Sequence, residues 1–225
     1  MSPLVLDTFK FFKQYWRYLV LFVVPLALIE HFAFRNLIDL ELIQAAQTDE
    51  ALAEALAGQF PTLATLELIF KPLIEGVVIT ATLSAVMSGA LVTRVVLNRL
   101  LSVSPHLLLA FALRTVLIVF GLLLFIVPGV YLYLRLILMP VIVVDKSVGA
   151  LSAMKQSWQL TGPAMGTVFI GLLQMVMWVF FPLFFIGQVV PTGAAMFAWA
   201  AISAVALATF DIFKCRLYNE LSKGS

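Results

Sequence analysis

Residues 106–144 read HLLLAFALRTVLIVFGLLLFIVPGVYLYLRLILMPVIVV. In 39 residues the only formal charges are Arg114 and Arg135. A Pro128-Gly129 dipeptide, a turn signal, divides the stretch into apolar runs at 106–127 and 129–144. A membrane-spanning helix needs about 20 mainly apolar residues. The first run meets that length. The second is short and is interrupted by Pro140, which removes a helical donor. The pair reads either as two full spans or as a re-entrant hairpin. In both cases its two ends lie on the same side of a bilayer.

The rest of the chain has the same character. Of its 225 residues, 63% are hydrophobic and 12% charged, against about 45–50% and about 25% in soluble domains. One small core cannot hide that much apolar surface, and a bilayer is the solvent that suits it. The fold class is therefore all-α: a single polytopic membrane domain over 1–225, with about six transmembrane helices and two interfacial amphipathic helices. The spans read as 18–36, 72–96, 106–127, 129–144, 164–188 and 191–214. Pro25 is expected to kink the first.

The first amphipathic piece is LVLDTFKFFKQYWR (4–17), with Val5, Phe9, Phe11, Phe12, Tyr15 and Trp16 on one face and Asp7, Lys10, Lys13 and Arg17 on the other. The second is SVGALSAMKQSWQLTG (147–162), with Leu151, Met154 and Trp158 on one face. Residues 37–71 form the one sizeable polar loop. Within it TDEALAEALAG reads as a short helix, with Thr48 as N-cap, acids in the first turn and Gly58 at its end. Charges interrupt the N-terminal region and no cleavage site follows a short apolar core, so the first apolar run is expected to stay in the mature protein.

Charge sets the orientation. With the N-terminus in the cytoplasm and the spans alternating, eleven of the fourteen Lys and Arg fall on the cytoplasmic side, and only Arg35 and Lys71 fall outside. Both termini are then cytoplasmic and the acidic loop is external.

Ionisable groups inside spans are costly and therefore informative. Arg135 is the deepest, Asp211 sits in the inner part of the sixth span, and Glu75 lies near the outer end of the second. These three form the candidate intramembrane polar site. Arg135 cannot shed its proton to escape burial, so pairing with a carboxylate or a lipid phosphate is expected. Arg114 reads as snorkelling to an interface. Glu30 and His31 read as interfacial. Small residues recur at helical spacing at Thr80/Ser84/Ser88, Ala81/Ala85/Gly89, Ala200/Ala204/Ala208 and Gly162/Gly166, a pattern that lets helices pack closely in lipid.

No catalytic site is expected. The chain has no HExxH, G-x-S-x-G or phosphate-binding loop; GPAMG at 162–166 lacks the Lys and Ser/Thr that such a loop needs. His31 and His106 fall on opposite sides of the membrane, so no shared metal is expected, nor any cofactor. The single cysteine, Cys215, excludes an intramolecular disulfide. Basic residues are dispersed along span ends, which argues against a nucleic-acid partner.

The run FIVPGVYLYLRLILMPVIVVDKSVGALSAMKQSWQLTGP (125–163) resembles the YciC-like family of uncharacterised bacterial inner-membrane proteins. The resemblance is carried by Val127-Pro128-Gly129, Pro140-Val141, Asp145-Lys146 and the Ala153-Met154, Ser157-Trp158 and Leu160-Thr161 pairs. A looser similarity is to the membrane domain of some glycerophosphodiester phosphodiesterases. The resemblance implies a six-helix inner-membrane protein and supplies no catalytic residues. Arg135 falls where the looser relatives often have Arg and where YciC-like members can be apolar. Two roles fit: a non-enzymatic envelope or membrane-organising component with lipids and other membrane proteins as partners, or a transporter or channel for a small solute or lipid.

Overall fold

A computed structural model describes residues 2–38, 48–88, 93–188 and 195–223. The described residues are helical almost throughout. The helices are α1 (Pro3–Leu37), α2 (Asp49–Ser88), α3 (Thr93–Leu124), α4 (Ile126–Leu136), α5 (Met139–Lys146), α6 (Ala150–Thr161), α7 (Met165–Met175), α8 (Phe181–Gly187) and α9 (Ala195–Lys223). A π-helical turn, Val176–Phe180, joins α7 to α8. Six segments are long and apolar enough to cross a membrane: α1, α2, α3, α4 with α5, α7 with α8, and α9. The chain is a multi-pass membrane protein.

The amphipathic start and the first span form one helix. At 35 residues, α1 is about 50 Å long, and it continues through Pro25. The aromatic face expected at the headgroups turns partly inward instead. Val5 and Phe11 are buried, and the Arg216 guanidinium lies 4.9 Å from the Phe11 ring centre. Near the other end of α1, His31 meets Phe197 edge-on. These two contacts run α1 and α9 antiparallel.

The polar segment after α1 is helical where it is described. The Thr48 hydroxyl accepts the Ala51 amide at 3.2 Å, the expected N-cap. Gly58 does not end the helix, because α2 runs on through Gly58, Pro61 and Pro72 to Ser88. Residues 39–47 of the polar loop, 89–92 of the second expected span and 191–194 of the sixth lie outside the described residues.

The expected turn at Pro128-Gly129 falls earlier, at Phe125, which has extended backbone between α3 and α4. Pro128 sits in the first turn of α4, where a missing N–H costs nothing. Gly129 lies inside the helix because of packing: a Cβ there would come within 2.8 Å of the Leu122 backbone nitrogen. On the facing helix, a Cβ at Gly121 would come within 2.9 Å of the Gly129 Cα. The two glycines let α3 and α4 approach backbone to backbone.

The continuation of this hairpin is the centre of the molecule. The chain breaks between α4 and α5 at Ile137 and Leu138, and Pro140 opens α5 rather than ending a helix. From Leu136 to Val144 every side chain is buried. A helix that is apolar all round belongs in the interior, and α5 packs among α2, α3, α6 and α9. Its C-terminal end is tied down on two sides. Arg99 of α3 donates to the Val144 carbonyl at 2.9 Å and the Asp145 carbonyl at 2.6 Å, which places a cation at the negative end of the helix. Tyr218 of α9 donates to Asp145 Oδ2 at 2.7 Å.

A second core joins α1, α2 and α9 through Val23, Ala27, Ala81, Ala85, Ala204 and Ala208. Small-residue packing accounts for those alanines. It does not account for Gly162 and Gly166. A Cβ on Gly166 would meet nothing within 4 Å, and one on Gly162 would lie 2.8 Å from Arg135 Nη1. Gly162 makes room for a guanidinium, not for another helix.

Candidate functional site

Among the described residues, the interior carries one cluster of charges, built from three helices. Arg114 of α3 forks onto Glu75 of α2, with Nη1 donating to Oε1 at 3.1 Å and Nη2 to Oε2 at 2.9 Å. Lys214 of α9 donates to the same Glu75 Oε1 at 2.6 Å and to Asp211 Oδ1 at 2.7 Å. The four side chains are 7–12% exposed. Two cations and two carboxylates make the cluster formally neutral. Aromatic rings face both cations: Arg114 lies 5.2 Å from the Phe111 ring centre and Lys214 4.9 Å from that of Phe210.

Local sequence explains the convergence. Asp211 and Lys214 are three residues apart on one helix and therefore share a face. Gly76, beside Glu75, is overlapped by Leu100 and Leu107: a Cβ there would collide with both side chains. The missing side chain brings α3 close enough for Arg114 to reach its carboxylate.

Of the three candidate residues, Glu75 and Asp211 come together through Lys214, and Arg135 stands apart. Glu75 is buried in protein, and Arg114 pairs inward with it instead of snorkelling. No carboxylate meets Arg135 among the described residues. Its guanidinium instead lies 4.4 Å from the Trp158 ring centre and 5.7 Å from that of Tyr131. Its Nε is buried without a hydrogen-bond partner. Its carbonyl, exposed by the break after α4, accepts the Ser157 hydroxyl at 2.7 Å and the Thr161 hydroxyl at 3.3 Å.

Two hollows lie near these residues. A cavity of about 250 Å³ between α1, α2 and α9 is lined by Glu30, His31, Ile74, Trp199 and Ser203, among others. An apolar groove of about 760 Å³ between α3, α4 and α6 is walled by Leu113, Leu117, Leu132 and Leu136, with Trp158 and Lys155 on its α6 side. Among the described residues, no three His, Cys, Asp or Glu converge as metal ligands would.

Lys214 is the residue that sequence reasoning missed, because it reads as one more cation of a cytoplasmic tail. Its spacing from Asp211 was the available signal. The Arg114–Glu75 pair spans 39 residues of sequence, and no local pattern announces it.

Comparison with known proteins gives distant homology over half the chain. A UPF0259 membrane protein of Yersinia pestis (strain Pestoides F) is 34% identical over 123 residues, covering 52% of this chain and 47% of that protein. A UPF0259 membrane protein of Yersinia pseudotuberculosis serotype O:3 (strain YPIII) matches to the same extent. The match thus spans about half the length of the curated relatives. These are the YciC-like uncharacterised bacterial membrane proteins whose resemblance residues 125–163 carry. No family model matches the chain. No solved structure matches it.

Proposed function

Starting from distant homology to the UPF0259 membrane proteins, we propose that this chain is a non-enzymatic component of the bacterial inner membrane. It organises the envelope by presenting a rigid helical body to lipids and neighbouring membrane proteins, with both termini cytoplasmic. The observation that carries this reading is the mutual neutralisation of the buried cluster. Both Glu75 oxygens are bonded, Lys214 bridges the two carboxylates, and the charges sum to zero. Such a cluster acts as a clasp between α2, α3 and α9. It borders neither the cavity at Glu30 nor the groove at Trp158.

The test has two arms. Deletion in the host is expected to sensitise cells to detergent and osmotic shock, with rescue by the wild-type chain. Proteoliposomes containing the purified protein are expected to pass small solutes no faster than protein-free vesicles. Solute flux above that baseline, lost in either Asp211→Asn or Glu30→Gln, would overturn the proposal.

One observation favours transport as a second reading. The cavity at Glu30 sets a carboxylate, an imidazole and the Ser203 hydroxyl between three membrane helices, and ionisable groups facing such a space mark solute pathways. Flux abolished by Glu30→Gln and retained in Asp211→Asn would support it.

A further inference from the structure

Between Glu75 and Asp211 the chain has one acidic residue, Asp145, and six basic ones: Arg94, Arg99, Arg114, Arg135, Lys146 and Lys155. Asp145 is engaged by Tyr218. Arg114 is neutralised by Glu75, Arg99 caps α5, and Lys146 donates to Gln156. Arg94, Arg135 and Lys155 remain, with no protein anion against any of them among the described residues; Arg94 is exposed in the first turn of α3, away from the other two. Arg135 and Lys155 are both associated with Trp158. Lys155 and Trp158 both line the groove between α3, α4 and α6, and the Arg135 guanidinium stacks against the Trp158 ring.

The α6 helix is built to present this arrangement. Ala150, Ala153, Ser157 and Thr161 are buried against the protein, and the hydroxyls of Ser157 and Thr161 fix the Arg135 backbone. That register turns Leu151, Lys155, Trp158 and Gln159 outward, and all four are exposed. The opposite wall, Leu113, Leu117, Leu132 and Leu136, is purely aliphatic. A groove with a cationic, amide-bearing lip and an aliphatic wall matches a molecule with an anionic head and a hydrocarbon tail. Trp158 and Tyr131 are of the side-chain type that sits at headgroup level.

We infer that this groove binds one anionic phospholipid. Its phosphate sits at Lys155 and Gln159, with Arg135 adding positive potential from behind Trp158, and one acyl chain lies against Leu117 and Leu132. This inference requires only that the chain is embedded in a bilayer. It does not depend on the organising role proposed above.

The test uses the full-length protein in mild detergent. Retained lipid is measured by native mass spectrometry and by thermal shift, with dioleoyl phosphatidylglycerol compared against dioleoyl phosphatidylcholine. Wild type is expected to retain one phosphatidylglycerol in preference to phosphatidylcholine. A basic residue near an anionic surface is worth about fivefold in affinity. Lys155→Gln, an exposed change that leaves the fold intact, is expected to weaken phosphatidylglycerol by about that factor and to leave phosphatidylcholine unchanged. Arg135→Gln with Lys155→Gln is expected to erase the preference. Soluble glycerol phosphate is expected to produce no thermal shift. Equal retention of the two lipids, undiminished phosphatidylglycerol binding in Lys155→Gln, or stabilisation by glycerol phosphate alone would each overturn the inference.

Discussion

At the scale of single residues, the structure distinguishes two ways of keeping a charge inside a membrane protein. Arg114 and Lys214 are neutralised by carboxylates, whereas Arg135 is stacked on aromatic rings. The first arrangement is brittle. Removing one member of a buried ion pair leaves its partner uncompensated and costs about 3–5 kcal/mol. Lys214→Met is therefore expected to destabilise the protein by about that amount in thermal unfolding, because Asp211 loses its partner. Adding Asp211→Asn to the same chain is expected to recover most of the loss. A double variant no more stable than Lys214→Met would mean that the cost lies in packing rather than charge. Sequence reasoning identified Glu75 and Asp211 because carboxylates in apolar runs stand out. It grouped them with Arg135 and not with Arg114 and Lys214, since Arg114 reaches Glu75 only through the packing of α2 on α3.

At the scale of elements, glycine positions separate local propensity from tertiary contact. Gly58 and Gly129 both lie inside helices and read alike in sequence. A Cβ on Gly58 would meet nothing within 4 Å, and one on Gly129 would meet the backbone of Leu122. Gly58→Ala is expected to stabilise α2 by about 0.5–1 kcal/mol through helix propensity alone. Gly129→Ala is expected to cost about 1–3 kcal/mol, because α3 and α4 must part. Thermal unfolding of the two variants checks both signs, and a neutral Gly129→Ala would contradict the close approach. This contrast also explains why Gly58 was misread as a helix end. Glycine stops a helix where a left-handed residue is needed, and nothing at Gly58 requires one. The Thr48 cap was legible because its partner is local. The turn at Phe125 was not, because Pro128 suits the first turn of a helix as well as it suits a bend.

At the scale of the whole molecule, hydropathy made the membrane class and the span count legible, and it left the centre unmarked. The run from Leu136 to Val144 is as apolar as the lipid-facing helices and differs from them only in being surrounded by protein. The proposed inside location of both termini rests on charge distribution and has a clean assay. Cys215 is fully buried, so single cysteines added elsewhere report without background. With the N-terminus cytoplasmic, a cysteine at position 50 is expected to react with a membrane-impermeant maleimide added to intact cells. One at position 152, on the exposed face of α6, is expected to react only after lysis. Labelling of position 152 in intact cells would invert the topology.

The turn at Phe125 bears on how the protein enters the membrane at all. Leu123, Phe125, Ile126 and Val127 are each 74–79% exposed, and residues 115–134 contain no charged side chain. Spans are ordinarily joined by hydrophilic connections, and every such connection on the far side must be carried through hydrocarbon during synthesis. Here the connection between α3 and α4 is itself oil-soluble. The α3–α4 hairpin can therefore slide sideways into lipid as a finished pair, and its biogenesis should depend on the insertion machinery's lateral exit and not on its capacity to translocate polar chain.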